Sequence, residues 1–198
     1  MDRRTFLASL TSATIVAPTN VAARELSERL VALARGPLAE NAGRIGVQDV
    51  VAIVDFSASS AHRRFHIVDM RTSSVVSLLV AHGRGSDPAH SGWLKHFSNA
   101  IGSNATSSGA YRTGPIYEGK YGRSMRLVGL DPENSNAEAR AIVIHPAWYV
   151  SDEMIGKHGK LGRSEGCFAL SSAGLDAALA ILGPGRLLLA GKFSALLR

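Results

Sequence analysis

Gly162-Arg163-Ser164-Glu165-Gly166-Cys167 places the single cysteine of the chain in a turn rather than in an apolar strand. Glycine tolerates tight turns and close backbone approach, so the run reads as a loop presenting a thiol beside exposed N–H groups. An apolar run, Phe168-Ala169-Leu170, follows it. Arg163 favours the thiolate and Glu165 opposes it. A lone buried cysteine is commonly inert. The Gly, Ser and Arg around this one argue for a nucleophile instead.

Upstream, Arg140-Ala141-Ile142-Val143-Ile144-His145-Pro146 reads as a short apolar strand ending at a histidine. Cys167 follows 22 positions later, a connection long enough to bring strand end and cysteine turn together. One cysteine with a distant histidine is a nucleophile–base pattern. On the residues alone, a structural histidine and an inert thiol remain the competing reading. His158 is the rival base, and His145 is preferred because the end of an apolar strand holds a side chain rigidly.

Together, I-V-I-H-P-A-W-Y-V-S from Ile142 and G-K-L-G-R-S-E-G-C-F-A-L from Gly159 resemble the catalytic domain of the murein L,D-transpeptidases, the YkuD-like superfamily in its shorter second branch. V-A-H-G-R-G-S from Val80, F-S-N from Phe97, S-S-G-A-Y-R-T-G from Ser107 and Y-E-G-K-Y-G-R-S-M-R-L-V-G-L from Tyr117 extend the resemblance. It covers most of the chain from about Asp49 onward. It implies a curved β-sandwich and a Cys167 thioester formed with His145 as base. It also implies an oxyanion held by backbone N–H groups at Gly166 and Cys167, with no cofactor. The implied partners are peptidoglycan stem peptides, as acyl donor and acceptor. The implied products are 3-3 or 1-3 cross-links. Trimming by an L,D-carboxypeptidase and non-catalytic wall binding are the alternatives. Three positions depart from the family pattern: Glu165 stands where histidine is commoner, Phe168 where proline often follows the cysteine, and Pro146 where glycine is common.

The resemblance makes the walls of a cleft from Arg163, Ser164, His82, Arg84, Tyr111 and Trp148. Arg84, in His82-Gly83-Arg84-Gly85-Ser86, is the residue offered to an acidic group of the substrate. His82, His90 and His96 have spacings that fit no standard zinc motif, so no metal is expected.

A length of 198 residues, 45% of them hydrophobic and 19% charged, suits one globular domain. The net charge of +6 and pI of about 9.9 suit a polyanionic partner. The basic residues are scattered without a dense run, which argues against nucleic acid. Asp2-Arg3-Arg4-Thr5-Phe6-Leu7 resembles a twin-arginine export signal. Val21-Ala22-Ala23 offers a cleavage site. The expected division is therefore a signal over residues 1–23 and a catalytic domain over 24–198, exported to the periplasm of a Gram-negative bacterium. The apolar stretch between is too short and too rich in Ser and Thr for a stable membrane span.

Residues 24–35 read as a helix, with Leu26, Leu30 and Leu33 on one face and Gly36-Pro37 as its stop. Strands are expected at 50–56, 64–69, 75–81, 125–130, 140–145 and 187–190. Residues 98–114, dense in Ser, Asn, Gly and Thr, read as a long irregular loop. A helix capped by Ser171 or Ser172 would end at Gly183-Pro184-Gly185. The expected fold is mostly β, mixed α+β, with six or seven strands and two flanking helices.

Overall fold

The computed structural model describes residues 19–193. The export motif at Arg3-Arg4 therefore lies outside the described residues. Eight strands form one sheet in the order β3-β2-β1-β8-β4-β5-β6-β7. They are β1 (Val50–Asp55), β2 (Phe65–Asp69), β3 (Val75–Leu78), β4 (Gly109–Gly119), β5 (Gly122–Gly129), β6 (Val143–Pro146), β7 (Phe168–Leu170) and β8 (Leu187–Gly191). Pairing is antiparallel except for β1 with β8 and β6 with β7. Three helices accompany them: α1 (Thr19–Glu40), α2 (Asp152–His158) and α3 (Ser172–Ile181).

The continuous apolar run of β1 follows from burial on both faces. Successive side chains of a strand point to opposite sides. Val51 and Ile53 pack with Leu30, Val31 and Ala34 of α1. Val50, Ala52 and Val54 face the main core. Its neighbour β8 divides in the same way, with Leu187 and Leu189 toward α1 and Leu188 and Ala190 inward.

The sheet is open but strongly curled. Its main core draws side chains from seven of the strands and from Leu175, Ala178 and Leu179 of α3. Past the end of edge strand β3, Ala81 pairs with Ala169 of the opposite edge strand, β7. The curl therefore brings the two edges of the sheet to the same segment of chain. The expected curved, mostly β architecture is present in this form, with three helices where two were expected.

Three expectations change. First, α1 runs through Gly36-Pro37 to Glu40. A proline inside a helix costs about 3 kcal/mol. Leu30, Val31, Ala34 and Leu38 all pack on the sheet side, and each buried aliphatic side chain returns about 1.5–3 kcal/mol. Asn41 closes the end, with its N–H and Nδ2 both donating to Pro37 O (3.1 and 2.9 Å). Second, residues 109–114, expected as the end of a loop, instead begin the longest strand, Gly109–Gly119. Gly114 and Pro115 sit where the β4–β5 register shifts between Thr113 and Ile116, a bulge, which is where a sheet accepts proline. Third, Phe168–Leu170 is itself a strand. Among the described residues no helix is long and apolar enough to cross a membrane.

Candidate active site

Cys167 lies at the mouth of β7, and His145 lies on the adjacent parallel strand β6, where it pairs with Ala169. The two residues line one cleft of about 640 Å³. His158 is exposed in the last turn of α2, outside the walls of that cleft.

The turn before Cys167 is held by backbone on both sides. The Ser164 N–H donates to His82 O (2.9 Å) and the Arg84 N–H donates to Ser164 O (2.8 Å). Ser164 Oγ donates to Cys167 O (2.6 Å) and accepts from the Gly166 N–H (3.2 Å). Gly166 has φ +117°, and a Cβ there would lie 2.8 Å from Ala105 O. A Cβ on Gly83 would lie 2.8 Å from Gly166 Cα. The two glycines let these loops touch along their backbones.

The thiol of Cys167 is 9% exposed and donates to Ala141 O (3.6 Å). Burial pushes its pKa up. The Val143 N–H and the Arg140 guanidinium pull it down, Glu165 adds to the rise and Lys120 opposes it. Arg140, rather than Arg163, is thus the guanidinium that favours the thiolate. Its two terminal nitrogens donate to Ser98 O (2.8 Å) and Ala105 O.

The ring of His145 is buried, with Nδ1 3.0 Å from Pro146 O. A carbonyl can only accept, so Nδ1 carries the proton and Nε2 keeps its lone pair. Burial pushes the His145 pKa down; the Pro146 carbonyl resists this and Lys120 adds to it. The resting pair is therefore a thiol and a neutral imidazole. Among the described residues no hydrogen bond joins them. The thiol donates to Ala141 O instead.

The other face of the imidazole is covered by the β4–β5 hairpin. Gly119 pairs with Gly122, leaving Lys120 and Tyr121 as a two-residue turn. Tyr121 stacks on His145 with centroids 4.4 Å apart. The Lys120 ammonium stands 4.6 Å from the Tyr121 ring centroid. Tyr149 and Tyr117 add further aromatic wall.

The remaining expected site residues separate into two groups. Arg163 and Ser164 line the cleft, with Arg163 Nη1 donating to Asp87 O and to Pro88 O (3.2 Å). His82, Tyr111, Trp148 and Arg84 do not line it. His82 is 1% exposed, and its Nδ1 accepts from Arg64 Nη2 (2.8 Å), so Nε2 carries the proton toward Asp87 Oδ2 (3.4 Å). Burial and the Arg64 charge push its pKa down to about 4. Its task is to brace the loop that grips Ser164. Tyr111 is fully buried beneath β7, edge-on to Phe168 (5.6 Å), with its hydroxyl donating to Ser107 O (2.9 Å). Trp148 is 83% exposed and touches Tyr149 by its edge; of these two neighbours, both expected to shape the cleft near His145, only Tyr149 lines it. Arg84 is tied to Glu165 at 3.1 Å.

Sequence reasoning missed Lys120, Tyr121 and Arg140 as site residues. The two residues between Gly119 and Gly122 are the available signal for the hairpin. No local pattern signals Arg140, which reaches Cys167 only through the packing of two loops.

The chain matches the L,D-transpeptidase catalytic domain family over residues 4–190. No curated protein matches it. Similar solved structures include an L,D-transpeptidase from Mycobacterium smegmatis, with 13% identity and a TM-score of 0.45 over 72% of this chain and 58% of that one. L,D-transpeptidase 1 from Mycobacterium tuberculosis is 10% identical, with a TM-score of 0.40 over 72% of this chain and 61% of that one. L,D-transpeptidase 3 from the same organism is 14% identical, with a TM-score of 0.41 over the same shares. The chain thus spans less than two thirds of the length of these proteins.

Proposed function

The chain belongs to the L,D-transpeptidase catalytic domain family, and on that premise we propose that it cross-links peptidoglycan by cysteine-dependent acyl transfer. The observation that carries this reading is the shared cleft of Cys167 and His145, with the lone pair of His145 on Nε2.

His145 Nε2 takes the thiol proton as Cys167 Sγ attacks an amide carbonyl of a donor stem peptide. The oxyanion is met by the N–H groups of Cys167 and Gly166, the latter released from Ser164 Oγ. The imidazolium then protonates the leaving amine, and a thioester remains on Cys167. An acceptor amine loses its proton to His145, attacks the thioester and restores the thiol. The neutral resting pair fits this sequence, because proton transfer then accompanies attack. The reading includes export to the cell envelope by the Arg3-Arg4 signal, where peptidoglycan and a free thiol would meet.

Purified disaccharide-tetrapeptides incubated with the protein, beside Cys167→Ala, test the proposal by mass spectrometry. Cysteine-dependent dimers are expected, and fragmentation identifies the stem position that donated the acyl group. Cysteine-dependent shortening without dimers would make the protein a hydrolase. No change in either sample would overturn enzymatic action on these stems.

A further inference from the structure

The cleft is cationic, but most of its cations are already committed. Arg140 gives its guanidinium to Ser98 O and Ala105 O. Arg163 gives its own to Asp87 O and Pro88 O. Arg84, at the rim, is paired with Glu165. Lys120 is different. It is exposed, lines the cleft and takes part in no ion pair among the described residues. Its neighbour is the face of Tyr121, which holds an ammonium without neutralising it.

The placement is also fixed. Lys120 occupies a two-residue hairpin turn between paired Gly119 and Gly122. Tyr121 contacts both the Lys120 ammonium and the His145 ring, and all three line the same cleft. A lysine ammonium is a compact charge with three donors, suited to a single carboxylate oxygen that approaches from solvent.

We propose that Lys120 is the residue that reads a carboxylate on the acyl donor, so that the cleft selects donors carrying negative charge near the reacting carbonyl. This rests on the acyl-transfer reading of the cleft. It moves to Lys120 the role first expected of Arg84, which Glu165 already occupies. The ammonium is held above its ordinary pKa by Tyr121 and senses the charges of Glu165 and Cys167. It is therefore charged whenever the enzyme works.

The test needs no peptidoglycan. Cys167 is the only cysteine, so alkylation reports on it alone. The rate with iodoacetate, an anion, is divided by the rate with neutral iodoacetamide. The same thiolate attacks both reagents and displaces iodide from each, so its pKa cancels in the ratio. Lys120→Met should lower the ratio about fivefold at low salt, Lys120→Glu should lower it further, and Lys120→Arg should preserve it. Raising the salt should shrink the wild-type ratio toward that of Lys120→Met. Lys157→Met, which removes the same charge outside the cleft, should leave the ratio unchanged. Equal ratios in wild type and Lys120→Met, or an equal fall in Lys157→Met, would overturn the assignment. A Lys120-dependent ratio in a protein that makes no dimers from stem peptides would keep the anion site and reject the cross-linking reading.

Discussion

The ring of Tyr121 lies on the imidazole of His145, with centroids 4.4 Å apart and planes inclined by 21°. One residue comes from a hairpin turn and the other from near the end of the interior strand β6, so the hairpin is part of the burial that keeps the base neutral. An aromatic stack contributes about 0.5–1.5 kcal/mol beyond area. Tyr121→Ala should lower turnover about tenfold, and Tyr121→Phe should retain most of it. Loss of the stack also lets water reach the ring. The His145 pKa should therefore rise toward the ordinary histidine value, as followed by NMR titration of the imidazole. An unchanged titration in Tyr121→Ala would mean that the stack contributes nothing to burial of the base.

Acid should destabilise the fold well before its carboxylates are protonated. Burial and Arg64 hold the His82 pKa at about 4 against an ordinary 6.5. Burial pushes His66 and His145 in the same direction. Between those pH values the unfolded chain binds more protons than the folded one. Stability is thus complete above about pH 6.5 and is lost as the pH falls toward 4. For His82 the loss amounts to about 3 kcal/mol. Urea unfolding at pH 7.5 and 4.5 should show a large fall in the midpoint, and His82→Gln should flatten it. A wild-type midpoint that is flat with pH would contradict this account of the Arg64–His82–Asp87 cluster.

Runs and turns were what the chain made readable. Val50–Asp55 and Leu187–Gly191 are apolar on both faces, and their burial between α1 and the main core is the reason. The Cys167 turn was readable because Gly166 and Ser164 have local tasks, a positive φ and two hydrogen bonds within the turn. Strand β4 was not readable, because its Gly and Pro residues serve a bulge that only pairing with β5 explains. On sequence, His82 and Arg84 both read as cleft residues. Which faced inward depended on Arg64, 18 positions before His82, whose buried guanidinium claims the imidazole. Arg140 and Lys120 meet Cys167 only after the sheet has curled, and nothing in spacing carries that information.

The contact between the two loops should tolerate no side chain. Gly166→Ala would place a Cβ 2.8 Å from Ala105 O at φ +117°. A strained position of this kind costs about 1–3 kcal/mol. Gly83→Ala would drive a Cβ to 2.8 Å from Gly166 Cα and N, all of it backbone that cannot rotate away. Both variants should lose stability in thermal unfolding and lose most Cys167 alkylation kinetics at neutral pH. Gly102→Ala, where a Cβ meets nothing within 4 Å but φ is +77°, should lose stability through backbone strain alone and leave Cys167 reactivity intact. Equal effects at all three positions would mean that conformation, not the contact, governs the turn.

Glu165 occupies the position where the family commonly has histidine, and its carboxylate works against the Cys167 thiolate. It also ties Arg84 at 3.1 Å, with both side chains more than half exposed. Glu165→Gln removes the repulsion and frees a guanidinium beside the cleft, and both changes favour the thiolate. The Cys167 pKa should fall, shifting the pH profile of iodoacetamide alkylation to lower pH. Exposed charges interact weakly, by about 0.2–1 kcal/mol, so the gain at pH 7.5 should be about two- to threefold and should shrink in high salt. Arg84→Gln should act in the opposite direction, because Glu165 then loses its counter-charge. If Glu165→Gln slowed alkylation instead, the ion pair with Arg84 would be holding the turn in shape, and its mechanical role would outweigh its charge.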